Sequence, residues 1–100
     1  MALNIAKHMD GASALVVLEG RLDTNTAPEL EKELKDVLEQ VSELKLDLEK
    51  LEYTSSAGLL VLLTAHKALM NRGGLKILHP NEVVMETFTV TGFTRILHIE

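Results

Sequence analysis

The segment from residue 44 to residue 48 constrains the fold more than any other part of the chain. Apolar and charged side chains alternate along it, with Leu44, Leu46 and Leu48 set between Glu43, Lys45, Asp47 and Glu49. This alternation predicts a β-strand with one face in the core and the other in water. A parallel strand between two helical layers is normally apolar on both faces. The sequence therefore predicts a sheet that helices cover on one face only.

Helices are expected both before and after this strand along the chain. The first is predicted over residues 27–41, where apolar side chains recur at helical spacing. Thr26 and Glu29 stand in the positions of a capping box at its start, in which the threonine side chain caps the helix. Two more helices are predicted over residues 57–72 and 80–91, and glycine follows each of them, as is common beyond helix ends.

Four more short strands are predicted at residues 3–8, 14–19, 75–78 and 96–99. Asp10-Gly11 indicates a tight turn between the first two, Gly20 is expected to end the second, and residues 21–23 are expected to form a loop. The order β-β-α-β-α-β-α-β predicts an α/β fold with a mixed sheet of about five strands. Right-handed crossovers between successive neighbouring strands would place the helices mainly on one face.

Length and composition exclude several classes of function. With 100 residues, the chain is expected to form a single domain, residues 1–100. It contains no cysteine, which rules out disulfides and thiolate metal sites and is consistent with the cytoplasm. Fifteen acidic residues against ten basic ones give a net charge of −5 without a basic stripe, so no nucleic-acid partner is expected. The longest apolar run, residues 57–63, is too short to cross a bilayer, so no membrane insertion is expected.

No catalytic site is predicted anywhere in the sequence. The four histidines lack the spacing of metal ligands, and neither a nucleophile elbow nor a phosphate-binding loop is present. We therefore expect a protein without enzymatic activity, cofactor or metal ion.

The segment Ser55-Ser56-Ala57-Gly58 is the candidate functional site. It lies where the central strand gives way to the second helix, and Leu59 and Leu60 follow it directly. Hydroxyls at a helix N-terminus meet unpaired backbone N–H groups, and a phosphate is favourable there. Phosphorylation would add about −1.5 to −2 charges beside apolar surface, which is the physical basis of a binding switch. The alternative is that the serines only cap the helix.

Residues 51–63 (Leu-Glu-Tyr-Thr-Ser-Ser-Ala-Gly-Leu-Leu-Val-Leu-Leu) resemble the signature of STAS domains, specifically of the bacterial anti-sigma-factor antagonists. Residues 20–23, 73–74 and 90–93 are similar to that family as well, so the resemblance covers essentially the whole chain. It implies the STAS fold and binding to an anti-sigma factor that is often also a serine kinase. Phosphorylation by this kinase would release the partner, and a serine phosphatase would reset the cycle.

Alignment to the family motif on Gly58 and Leu59 places the phosphorylated serine at Ser56. The chain departs from the motif at Ser55, where aspartate is usual, and at Ala57, where a second hydroxyl residue is usual. Asp23 matches an acidic residue expected near the acceptor. The resemblance thus implies a partner-binding surface made of Asp23, Ser55, Ser56, Ala57, Gly58, Leu59 and Leu60.

Two other functions fit the same residues. Because Ser55 replaces the motif aspartate, the chain could instead be a STAS scaffold that is never phosphorylated. It would then be an accessory subunit of a signalling or lipid-transport complex. A helix N-terminus can also hold an anion, which leaves a nucleotide or small-molecule sensor as the third interpretation.

Overall fold

The computed structural model describes residues 3–100 as one five-stranded sheet with three α-helices packed on it. The elements are β1 (Leu3–Asp10), β2 (Ser13–Leu22), α1 (Ala27–Leu38), β3 (Glu43–Thr54), α2 (Ser56–Leu69), β4 (Gly74–Leu78), α3 (Glu82–Val90) and β5 (His98–Ile99). A short 3-10 turn, Phe93–Arg95, precedes β5.

The strands lie in the sheet in the order β1-β2-β3-β4-β5. β1 and β2 form an antiparallel hairpin, and every later pair is parallel. Because each crossover joins neighbouring strands in the same direction, right-handed connections carry all three helices to the same side. The predicted α/β fold with a mixed sheet is confirmed.

One core fills the space between the sheet and the helices. Leu44, Leu46 and Leu48 of β3 are fully buried in it, as the alternation predicts. Alternate residues of the same strand, such as Lys45 and Glu49, are exposed on the open face. Phe88 of α3 is the largest fully buried side chain among residues 3–100. This core anchors the strand ends that carry the candidate site.

β3 is longer than predicted and contains two β-bulges. Its register with β2 moves from Val17 opposite Asp47 to Glu19 opposite Lys50, and later from Gly20 opposite Leu51 to Arg21 opposite Tyr53. Each step inserts one extra residue in β3. After each bulge an uncharged side chain again points into the core, first Leu51 and then Thr54. Buried positions therefore follow at residues 44, 46, 48, 51 and 54.

Gly20 does not end β2, and residues 21 and 22 are strand rather than loop. Gly20 adopts a φ of 116°, a value that favours glycine, at the place where the second bulge of β3 begins. The strand passes through this irregularity and ends at Leu22. The prediction was wrong because glycine here accommodates a bulge instead of a turn.

The predicted capping box of α1 is also wrong. Thr26 precedes the helix, but its side chain makes no cap hydrogen bond to the first turn. Its Oγ1 instead accepts from the Asp23 N–H at 2.8 Å and donates to the Arg21 carbonyl at 2.9 Å. The threonine therefore ties the helix start back to β2.

Three elements in the second half of the chain, α2, α3 and β5, are shorter than predicted. α2 ends at Leu69 instead of residue 72, and α3 begins at Glu82 instead of residue 80. Asn81 caps α3, its Oδ1 accepting from the Val84 N–H at 2.8 Å. The 3-10 turn after Gly92 takes up residues 93–95, so the last strand keeps only two residues.

Candidate functional site

The carboxyl ends of β2 and β3 meet at one edge of the sheet, and the candidate residues follow both strands. The Ser55 N–H donates to the Leu22 carbonyl at 2.8 Å, which joins the end of β2 to the start of α2. Asp23 comes directly after Leu22, and Ser56 comes directly after Ser55. The parallel pairing thus brings the β2–α1 loop next to the N-terminus of α2.

The two serines have different positions in the helix. Ser55 is the N-cap, with an extended backbone, and its Oγ accepts from the Gly58 N–H at 3.4 Å. Ser56 is the first helical residue and its side chain is exposed. Ser55 is half-buried and its hydroxyl accepts the cap hydrogen bond. No side-chain hydrogen bond within residues 3–100 involves the Ser56 hydroxyl. The capping role predicted for the pair therefore belongs to Ser55, and Ser56 is open to solvent.

An apolar surface lies beside Ser56. The side chain of Leu60 is 63% exposed, and that of Ala57 is half-buried. Two adjoining cavities of about 270 and 380 Å³ run between α1 and α2 and share Glu31, Val61 and Thr64. We call this continuous depression the α1–α2 groove. It begins at Ala57 and Leu60, next to Ser56, and reaches Leu38 and Glu39 at its far end.

Gly58 and Leu59 face the interior instead. Leu59 is only 4% exposed and belongs to the core. A Cβ built on Gly58 would lie 2.5 Å from Leu22 Cγ and 2.6 Å from Thr54 Oγ1, distances that real Cβ atoms do not show. Glycine is needed here because α2 crosses the ends of β2 and β3 in direct contact. These two residues shape the site from below and do not present side chains to a docked protein.

Asp23 organises the loop beside Ser56. Its Oδ1 accepts from the backbone N–H groups of Thr26 at 3.0 Å and Asn25 at 2.9 Å. The Thr26 backbone N–H is the main group that lowers the pKa of Asp23, because hydrogen bonds to a carboxylate favour its charged form. The side chain is half-buried, so part of the carboxylate still faces solvent. Its structural role was not predicted from the sequence.

Sequence reasoning missed Arg21 and Tyr53 at the same edge. The two residues are opposite each other on β2 and β3, and the guanidinium carbon of Arg21 lies 4.5 Å from the centre of the Tyr53 ring. This distance is that of a cation–π contact. The spacing from Leu48 to Leu51 to Thr54 is the signal that could have revealed the bulges, although it does not show which residues of β2 lie opposite them.

Residues 3–100 contain no helix long and apolar enough to span a membrane. Over the same residues, no three histidine, aspartate or glutamate side chains lie close enough together to hold a metal ion. The chemistry that the described site offers is therefore an exposed hydroxyl, a partly exposed carboxylate, a stacked guanidinium and an apolar groove.

Comparison with known proteins agrees with this architecture. The family model described as "Mlab, STAS domain" matches residues 5–98. The anti-sigma-B factor antagonist of Bacillus subtilis (strain 168) is 29% identical over 100 residues, which cover 99% of this chain and 92% of the relative.

Solved structures of other proteins share the fold. An anti-sigma factor antagonist from Mycobacterium paratuberculosis superposes with a TM-score of 0.89 at 21% identity, covering 98% of this chain and 85% of the other. The unphosphorylated form of the anti-sigma factor antagonist SpoIIAA superposes with a TM-score of 0.83 at 18% identity, covering 97% and 88%. SpoIIAA from Bacillus has also been solved in its phosphorylated form, which superposes at 0.75 with 17% identity and covers 97% and 91%.

Proposed function

The chain belongs to the STAS domain family, and we propose that it acts there as an anti-sigma factor antagonist that phosphorylation of Ser56 switches off. In this proposal the unmodified protein binds a kinase-type anti-sigma factor in the cytoplasm, and the sigma factor is set free. The exposed hydroxyl of Ser56 beside the α1–α2 groove is the observation that carries the proposal.

The switch follows from desolvation. An unmodified Ser56 and the apolar side chains of Ala57 and Leu60 can be covered by a partner at little cost. When the kinase transfers the γ-phosphoryl group of ATP, the Ser56 oxygen gains a P–O bond, ADP leaves and the hydroxyl proton is lost. The new group carries about −1.5 to −2 charges. Covering that charge without a partner costs several kcal/mol, which is enough to release a docked protein.

The proposed contact surface is smaller than the set of motif residues. Ser56, Ala57 and Leu60 would touch the anti-sigma factor directly, and the solvent-facing part of Asp23 would border the contact. Ser55 would support it by capping α2. Gly58 and Leu59 are assigned to the packing beneath.

The relatives support this assignment. The Bacillus subtilis relative is named an anti-sigma-B factor antagonist and is aligned over nearly its whole length. SpoIIAA exists in phosphorylated and unphosphorylated forms, so a chain with this fold can be phosphorylated. A serine phosphatase that removes the group would complete the cycle.

The test uses variants at position 56 and the kinase-type anti-sigma factor encoded in the same genome, with affinity measured by calorimetry. Ser56→Ala should bind as the parent does and should not be phosphorylated when ATP is added. Ser56→Asp should weaken binding by at least about tenfold, which corresponds to about 1.4 kcal/mol. Asn71→Asp is the matched control, because it adds the same charge at an exposed position near the other end of α2. Equal affinity of the parent and Ser56→Asp would contradict the proposal.

A second candidate function is a scaffold or accessory subunit of a signalling or lipid-transport complex that is never phosphorylated. The observation that favours it is the neutral Ser55 cap at the position where the antagonist motif has aspartate. Mass spectrometry of the protein isolated from its own cells separates the two functions. Phosphate on Ser56 in a large fraction of molecules supports the switch, and its absence under all growth conditions supports the scaffold.

A further inference from the structure

Arg21 is an exposed cation at the edge of the candidate site, close enough to Asp23 to lower its pKa but not in an ion pair with it. No ion pair within residues 3–100 involves its guanidinium, which lies over the Tyr53 ring instead. The side chain is exposed, and an exposed cation–π contact is weak. The guanidinium is therefore available to an anion that comes within its reach.

Ser56 and Arg21 lie at the same edge of the sheet, on neighbouring strand ends. Arg21 pairs with Tyr53 in the sheet, and the carbonyl of the next residue, Leu22, accepts from the Ser55 N–H. Tyr53 and Ser56 are three residues apart, so their Cα atoms are separated by at most about 11 Å even if the chain is fully extended. The arginine side chain is long and has several rotatable bonds. The pKa of Asp23 also responds to this cation: it is lowered mainly by the Thr26 backbone N–H and, to a smaller extent, by the charge of Arg21.

We propose that Arg21 is the intramolecular counter-ion of phosphorylated Ser56. On modification the guanidinium leaves the Tyr53 ring and donates to the phosphate oxygens. A charge-assisted contact between arginine and phosphate is stronger than an exposed cation–π contact, so the exchange is favourable. The consequence is a phosphorylated form whose new charge is partly neutralised within the chain. The inference rests on the proposed function only for the identity of the modified serine.

The experiment places phosphoserine at position 56 during translation, so that it does not depend on a kinase. The second pKa of the phosphate, ordinarily near 6, is measured by phosphorus NMR between pH 4 and pH 8. A nearby cation lowers this pKa, whereas the acidic groups beside the site, Asp23 and Glu31, would raise it. The full-length chain is compared with Arg21→Gln, with Arg21→Lys, and with Arg95→Gln as a control at a distant exposed arginine.

We expect Arg21→Gln to raise the phosphate pKa by about 0.5 to 1, Arg21→Lys to restore part of the difference, and Arg95→Gln to leave it unchanged. Tyr53 gives an independent signal, because it is the only tyrosine and the chain has no tryptophan. Its fluorescence should differ between the phosphorylated and unmodified parent, and this difference should disappear in Arg21→Gln. The inference is overturned if the phosphate pKa is the same with and without Arg21 while both proteins are folded by circular dichroism.

The two proposals fail in different ways. If the anti-sigma factor binds Ser56→Asp as tightly as the parent, the proposed function is wrong, and the effect of Arg21 on the installed phosphate is still measurable. If the phosphate pKa is the same in the parent and in Arg21→Gln, but Ser56→Asp binds the anti-sigma factor more weakly than the parent, only the proposal that Arg21 is the counter-ion is wrong.

Discussion

Gly58 makes the contact between α2 and the ends of β2 and β3 possible, and we predict that Gly58→Ala destabilises the protein. An added Cβ would lie 2.5 Å from Leu22 Cγ, 2.7 Å from Leu22 Cδ2 and 2.6 Å from Thr54 Oγ1. Leu22 is fully buried and Thr54 is 2% exposed, so neither side chain can swing out into solvent. The helix or the strand ends must move to admit the methyl group.

Two opposing effects set the magnitude. Overpacking a core costs about 1–3 kcal/mol, and three contacts below 3 Å with buried neighbours put this site at the upper end of that range. Alanine is a better helix former than glycine by about 1 kcal/mol, which offsets part of the cost. We therefore expect the free energy of unfolding to fall by about 2 kcal/mol.

Urea unfolding followed by circular dichroism measures this change. A double-mutant cycle with Leu22→Ala tests its cause, because the shortened side chain removes two of the three close contacts and leaves the one to Thr54 Oγ1. Gly58→Ala should therefore cost less in the Leu22→Ala background than in the parent. If Gly58→Ala is as stable as the parent, or if its cost is the same in both backgrounds, the proposed close contact is not what requires glycine.

Two more predictions concern side chains that organise loops at the strand ends. Asn81 caps α3 through Oδ1, while its Nδ2 donates to the Leu51 carbonyl at 2.8 Å. Asn81→Asp, which keeps only the cap, should therefore lose about 1 kcal/mol in urea unfolding, and Asn81→Ala, which loses both contacts, about 2 kcal/mol. An Asn81→Asp variant as stable as the parent would show that the bond to Leu51 contributes nothing, and equal losses in the two variants would show that the cap contributes nothing. The folded-state pKa of Asp23 lies below its ordinary value of 3.8, so its carboxylate stabilises the protein above that pH, and this contribution is lost as the pH falls through 3.8 and below. Asp23→Asn should therefore be less stable than the parent at pH 6, with a difference that shrinks between pH 4 and pH 2; a difference independent of pH would contradict this role.

Much of the fold was accessible from local patterns. The alternating leucines of residues 44–48 predicted a strand with one wet face, and helical spacing predicted α1. Both patterns arise because side chains on the buried face recur every 2 residues along a strand and about every 3.6 residues along a helix. The order of elements then allowed few topologies, since crossovers are right-handed. The family motif located Ser56 without any knowledge of its surroundings.

The errors fall where a residue's role depends on a neighbouring strand. Glycine often marks the end of a strand, but Gly20 pairs with Leu51 and β2 continues to Leu22. Thr26 has the spacing of a capping residue, but the Arg21 carbonyl and the Asp23 N–H use its hydroxyl. In both cases a long-range or loop contact outweighed a local preference.

The sequence by itself determined the number, type and order of the elements, the wet and dry faces of β3, and the hydroxyl segment that precedes α2. Only the tertiary structure decided that Ser55 caps the helix while Ser56 is exposed, that Gly58 is buried, and that Arg21 lies over Tyr53. The physical reason is that burial repeats along an element and leaves a period in the sequence. The register between β2 and β3 depends on pairs of residues about 30 positions apart, and no local pattern records it.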